Sequence, residues 1–272
     1  MKIPAILISF LSFMKLSAQC YTNPPVFEPG EVMKFDVYYN LSFVWVHAGE
    51  VKFQVAQSVY QKRPAYYFDV TGNSIPAYDW LFKVRDRFQA YMDKETLQPL
   101  WFQRNAYEDG FTAYEVDFFN YTKNKIFTYA ETSQHPLKRD TVKMKTCIYD
   151  IINASYSMRN IDFSKYKIND TIPIKILIEI EVFPLYIRFR GRENMTLKNN
   201  QTFRCLKFSV LLVAGTMFKG GEDLTVWVTD DNNHVPVYIE SKILIGSVKV
   251  LLSGYDHLKF PLNSEINTEK TK

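Results

Sequence analysis

Motifs for metal binding and for nucleophilic catalysis are missing from this chain. It has three cysteines and four histidines in 272 residues, and none of His47, His135, His234 and His257 stands at a ligand spacing from another. There is no HExxH, GxSxG, glycine-rich phosphate loop or CxxC. The signatures of zinc hydrolases, serine hydrolases, P-loop NTPases and thioredoxin-like redox proteins are therefore absent, and no cofactor is expected. Basic charge is also thin: 33 Lys and Arg stand against 29 Asp and Glu, with no basic stripe. Nothing in that pattern points to nucleic acid. Long apolar runs are lacking beyond the start of the chain, so no membrane-spanning segment is expected in the mature protein.

The start itself carries a pattern. Lys2 precedes "IPAILISFLSFM", an apolar run too short to span a bilayer comfortably, and "KLSAQ" ends it with small residues. Residues 1–19 thus look like a secretory signal peptide. Its loss removes Lys2 and Lys15 and lowers the formal net charge from +4 by two. A lipoprotein signal wants a small residue directly before its acylated cysteine, and here Gln19 occupies that place. Cleavage after Ala18 or Gln19 to give an unanchored chain is the expectation; lipidation of Cys20 is the alternative. Cys147 and Cys205 are the two remaining cysteines. In an exported chain they could form a disulfide with each other or stay buried as thiols.

Alternation dominates the remainder. In "TIPIKILIEIEVF", residues 171–183, Ile172, Ile174, Ile176, Ile178, Ile180 and Val182 share one face, with Lys175, Glu179 and Glu181 on the other. Period two predicts one long half-buried strand. "EVMKFDVYY", "FVWVHAGEVKFQV", "AYYFDVTG", "FTAYEVDFF", "LTVWVTD" and "VPVYIES" alternate similarly, with turn residues between runs. Aromatic residues at 16% suit a pleated sheet. "IPAYDWLFKV" allows a helical turn, and "TCIYDIINASYSMRN" predicts a helix with Thr146 as a possible cap. The expected fold is all-β: long antiparallel strands in a strongly curved sheet or partly open barrel, with one or two short helices. One domain over 24–262 and a flexible tail over 263–272 are expected.

"FEPGEVMKFDVYYN", "HAGEV", "DKETLQPLWFQRNAYEDG", "YDIINASYSMRN" and "LTVWVTDDNNHVPVYIESKILIGSVKVLL" resemble, in this order and over most of the chain, a family of exported bacterial proteins known only as a domain of unknown function. The resemblance implies an envelope or periplasmic location in a Gram-negative bacterium, and "SAQ" is similar to signals of Bacteroidetes. It implies no activity and no catalytic residues. The implied curved sheet is similar to that of periplasmic lipid carriers with a half-open barrel.

Candidate sites are few. On an extended strand Trp45, His47, Gly49, Val51, Phe53 and Val55 share a face, so His47 could orient a ligand among apolar groups, although a lone histidine there is more often a hydrogen-bonded core residue. Arg188, Arg190 and Arg192 would form a row if their strand runs through Gly191. Such a row could hold an anionic headgroup, or more commonly pairs with carboxylates of a neighbouring strand. Glu179 and Glu181 are the carboxylates a glycan hydrolase would need, but they alternate with isoleucines as a solvated face does. Asp230-Asp231-Asn232-Asn233 is best taken as a hairpin tip, since Asp and Asn bond their own backbone and tolerate positive φ. Thr141 in "DTV" and Thr171 in "DTI" resemble the short O-glycosylation signal of Bacteroidetes proteins. Together these features lead us to expect a non-enzymatic binding protein for a lipid or other apolar ligand. A structural factor docking another envelope protein and a glycan-acting enzyme are the alternatives.

Overall fold

The computed structural model describes residue 20 and residues 23–41, 44–213, 220–242 and 246–266. The expected leader and the last six residues of the tail lie outside them. Seven strands follow the N-terminal segment: β1 Val32–Leu41, β2 Val44–Tyr60, β3 Arg63–Ser74, β4 Val84–Asp93, β5 Pro99–Glu108, β6 Phe111–Asn120 and β7 Lys125–Thr132. β8 (His135–Lys143) leads to helix α1 (Ile151–Arg159). The second stretch comprises β9 Thr171–Ile178, β10 Glu181–Thr196, β11 Thr202–Leu212, β12 Gly221–Thr229, β13 Pro236–Lys242, β14 Ser247–Asp256 and a short β15, Glu265–Ile266.

All belong to one sheet in the order β8-β7-β6-β5-β4-β3-β2-β1-β14-β13-β12-β11-β10-β9, with β15 against β11. Among the described residues every strand pair is antiparallel and the sheet does not close. The expected all-β, open-barrel class is the observed one. The two free edges nonetheless approach each other. Thr128 Oγ1 on β7 donates to the Glu179 carbonyl at 2.7 Å, and Tyr149, just before α1, pairs in parallel with Ile176 of β9.

Four local expectations are corrected. The run 171–183 is two strands, because Glu179 adopts φ 57 and reverses the chain so that Ile178 faces Glu181. The turn has no Gly, Pro or Asn to announce it. Helix α1 starts after Asp150, not at Thr146: the Asp150 carboxylate accepts the backbone N–H of Ile152 at 3.0 Å and of Asn153 at 2.8 Å, which caps the first turn. Residues 263–266 are not frayed, since Ser264 is buried and Glu265 and Ile266 pair with Phe203 and Thr202. Finally, Cys147 is bonded to Cys20, and Cys205 is a buried free thiol that burial pushes up to about 12. Of the two readings the sequence left open, the Cys147–Cys205 pair is not formed, and Cys205 is the buried thiol. A Cys20 Sγ shared with Cys147 also has no thiol left to acylate.

Much of the main core lies on the inner face of β1–β7. Phe68, Phe102, Tyr66 and Met92 pack there, and Tyr156 of α1 stacks on Phe68 with ring centroids 4.1 Å apart. Phe27 meets Tyr66, Phe68 and Tyr156 edge-on. Helix α1 therefore lies against the inner side of the curve, which sets up the site.

Candidate functional site: an apolar cavity beneath the helix

Between α1 and the second stretch of the sheet is a cavity of about 280 Å³. Its walls are aliphatic and aromatic: Ile174 and Ile176 of β9, Leu185 and Ile187 of β10, Phe208 and Val210 of β11, Val226 and Val228 of β12, Ile239 of β13, and Met33, Phe35 and Phe53 from β1 and β2. The helix adds Ile151, Ala154, Ser155, Tyr156 and Met158. Ser155, whose hydroxyl donates back to the Ile151 carbonyl at 2.7 Å, offers little polarity. The polar lining is at one end, where Arg159 and His234 contribute.

That end is a built floor. The Arg159 guanidinium donates to both oxygens of Glu31, at 2.6 and 2.9 Å, and to the Asn233 carbonyl at 3.2 and 3.1 Å. Both side chains are buried. Burial alone would lower the Arg159 pKa; the charge and hydrogen bonds of Glu31 outweigh it and hold it raised. His234 Nδ1 meets the Arg159 carbonyl at 2.6 Å. Since a carbonyl only accepts, Nδ1 carries the proton. Burial lowers the His234 pKa, which keeps the ring neutral at pH 7.

The hairpin tip 230–233 is a turn, as expected, and also an anchor. Asp231 accepts from Thr229 Oγ1 at 2.9 Å and from the Asn233 N–H at 3.0 Å. Buried Asn233 then holds both backbone groups of Phe260, at 2.9 and 3.0 Å. The short motifs around Glu31, Arg159 and Asn233, far apart in the chain, thus meet at one place. Sequence reasoning missed this trio; a buried-pair Glu and Arg 128 residues apart leave no periodic trace.

Of the residues singled out, Phe53 lines the cavity and Trp45 and His47 do not. Val37 pairs with Gly49, but Tyr38 pairs with His47, so a bulge carries His47 and Trp45 to the opposite face. There His47 stacks on Tyr38 with centroids 5.0 Å apart, 3.8 Å from Asp36 Oδ1. Gly49 is required at this point because a Cβ there would sit 2.7 Å from the Asn73 carbonyl oxygen. Trp45 is covered by the ammonium groups of Lys249 and Lys198, at 3.9 and 4.5 Å.

Arg188 and Arg190 do share a surface, and both are engaged by Glu222, at 2.9 and 2.6 Å. Burial pushes the Glu222 carboxyl up, but hydrogen bonds from Ser209, Tyr186 and Arg188 prevail and hold it at about 2. The row is broken by a bulge at Gly191, φ +109, and Arg192 goes to Asp230 at 3.2 Å. These arginines serve as strand-to-strand ties. Glu179 sits in the β9–β10 turn and Glu181 opens β10, so the two do not share one strand face. Thr141 and Thr171 are exposed, on β8 and at the start of β9.

Carboxyls that the sequence reading passed over are buried elsewhere. Glu115 and Asp117 project from the inner face of β6, opposite Arg104 and Phe102. Neither Asp117 oxygen has a hydrogen-bond partner among the described residues. Burial first, and then mutual repulsion, raise the Asp117 pKa; burial also raises that of Glu115, against the pull of Arg104. Both therefore favour the protonated form. Among the described residues no group of three or more His, Cys, Asp and Glu could hold a metal ion.

Residues 34–253 match the family described as "Protein of unknown function (DUF3108)". The chain belongs to this family. It is also similar to the crystal structure of a beta-barrel-like protein of domain of unknown function DUF1849 from Brucella abortus, at 8% identity, covering 85% of this chain and 99% of that one with a TM-score of 0.55. At that identity the likeness concerns the fold. No curated protein matches the chain. Among the described residues no helix is long and apolar enough to cross a membrane.

Proposed function

We propose that this DUF3108 protein is an exported, non-enzymatic binding protein whose cavity beneath α1 holds a lipid-like or other apolar ligand. The observation that carries the reading is the cavity's volume of about 280 Å³ combined with walls that are almost wholly apolar. An apolar void of about 150 Å³ already stays dry and takes up benzene. One of nearly twice that size, with polar groups gathered at one end, suits a hydrocarbon chain whose head faces Arg159 and His234. Export is supported by the leader pattern of residues 1–19 and by the Cys20–Cys147 disulfide, which persists in an oxidising compartment.

The alternative, docking of another envelope protein on the same face, would gain nothing from the edge strand β8, which carries Pro136, Lys138, Arg139 and Lys143, residues that blunt strand pairing. Organic extraction of protein purified from its own host, followed by mass spectrometry, tests the proposal. A stoichiometric apolar compound is expected. Protein recovered with no such compound, and unable to take one up, would refute it.

A further inference from the structure

The connection between β3 and β4 exposes three consecutive large apolar side chains. Trp80 is 81% exposed, Leu81 64% and Phe82 44%. A soluble surface scatters such residues singly; a contiguous apolar tip marks a contact.

The tip is held in place. A 3-10 turn at Pro76–Tyr78 starts it, and Tyr78 accepts the N–H groups of Leu81 at 2.9 Å and Phe82 at 3.2 Å. At its base Asp79 is clamped by Ser74 and Arg85, each at 2.5 Å. Those partners hold the Asp79 carboxyl below the usual range, and Arg85 balances its charge. Lys83 follows directly, over the ring of Tyr107 at 5.7 Å.

We infer that Trp80, Leu81 and Phe82 insert into the interfacial region of a lipid bilayer. Three observations favour a bilayer over a protein. The tip is a protrusion, and a bilayer accepts a protrusion without a matching hollow. Side chains of this size bury roughly 150–250 Å² each, less in sum than the roughly 800 Å² that one partner contributes to a stable protein interface. An indole beside a lysine, with the neighbouring carboxylate ion-paired to Arg85, is the side-chain chemistry of the membrane–water boundary.

The alternation of antiparallel strands adds a geometric point. The β3–β4 connection falls at the same end of the sheet as the β9–β10 turn, opposite the Arg159 floor at the β12–β13 turn. The inference does not rest on the cavity reading, since it is argued from the tip alone.

The test uses the protein purified from its own host and vesicles of phosphatidylethanolamine and phosphatidylglycerol. Co-sedimentation is compared between the parent and the triple variant Trp80→Ser, Leu81→Ser, Phe82→Ser. Partitioning is expected to fall at least tenfold with an unchanged far- and near-ultraviolet circular dichroism spectrum. Should the triple variant not fold, brominated lipids give a second readout. They should quench the parent's fluorescence more than that of Trp80→Phe. A parent that stays in the supernatant at every lipid concentration, a variant that sediments equally, or quenching unaffected by Trp80→Phe would overturn the inference. So would a parent dimer that the variant converts to a monomer without any vesicle binding, which would assign the tip to self-association.

Discussion

The inner faces of the two stretches of sheet follow the same period-two rule and end differently. On β3 to β5 the inward positions carry Tyr66, Phe68 and Phe102, and Tyr156 and Phe27 close over them. On β9 to β13 the inward positions are mostly Ile, Leu and Val, with Phe189 and Phe208 the exceptions, and the helix face above them includes the small Ala154 and Ser155. Aromatic side chains reach across to the helix; aliphatic ones fall short. The difference in reach, not a difference in pattern, leaves one half filled and the other hollow.

The buried charges of the two halves differ in the same instructive way. Glu31 and Arg159 are matched, both oxygens of the carboxylate meeting the guanidinium. Asp117 is unmatched and favours its proton. The largest predicted effect follows from the matched pair. Arg159→Ala leaves Glu31 buried without its partner, and breaking such a pair destabilises by about 3–5 kcal/mol. Urea denaturation should show that loss, and Glu31→Ala should show a similar one. A change under about 1 kcal/mol in both would mean that the floor does not hold the halves together.

Next in size is the disulfide. Cys20 and Cys147 are 127 residues apart, and removal of a bridge closing a long loop costs about 2–5 kcal/mol. Cys20→Ser and Cys147→Ser should each lower the melting temperature by the same amount as the other, and Cys205→Ser should leave the bridge intact in a non-reducing peptide map. A Cys147–Cys205 peptide would contradict the pairing.

A smaller effect, of opposite sign, belongs to the unmatched carboxyl. Burial raises the folded-state pKa of Asp117 above its unfolded value. The stability it permits is therefore complete below the unfolded pKa, about 4, and is lost as pH rises through the raised folded one. Asp117→Asn should accordingly be more stable than the parent at pH 8, by about 1–3 kcal/mol, and gain little at pH 4. Equal stability differences at both pH values would show that Asp117 is ionised in the folded protein.

Strand content and the curved antiparallel class were legible because a half-buried strand writes its faces into alternate residues. The losses have local causes. The β9–β10 reversal at Glu179 lacks turn residues, so alternation runs through it unmarked. A bulge opposite Tyr38 moved Trp45 and His47 across the sheet, and one-residue slips leave no sign in a single strand's sequence. Phe53, beyond the bulge, kept its predicted face. The cavity floor was illegible because its partners come from three distant segments, joined only once the sheet curls. Small residues on α1, Ala154 and Ser155, were the one available hint of a space beneath the helix.

The least disruptive test fills the void. Val226 is a cavity wall and only partly buried. Titration with a dansyl-labelled fatty acid, followed by fluorescence, should give saturable binding to the parent protein stripped of any bound compound. Val226→Trp should weaken that binding at least tenfold, while Trp45→Ala on the opposite face should leave it unchanged. Equal binding by Val226→Trp, or loss confined to Trp45→Ala, would contradict the cavity as the binding site.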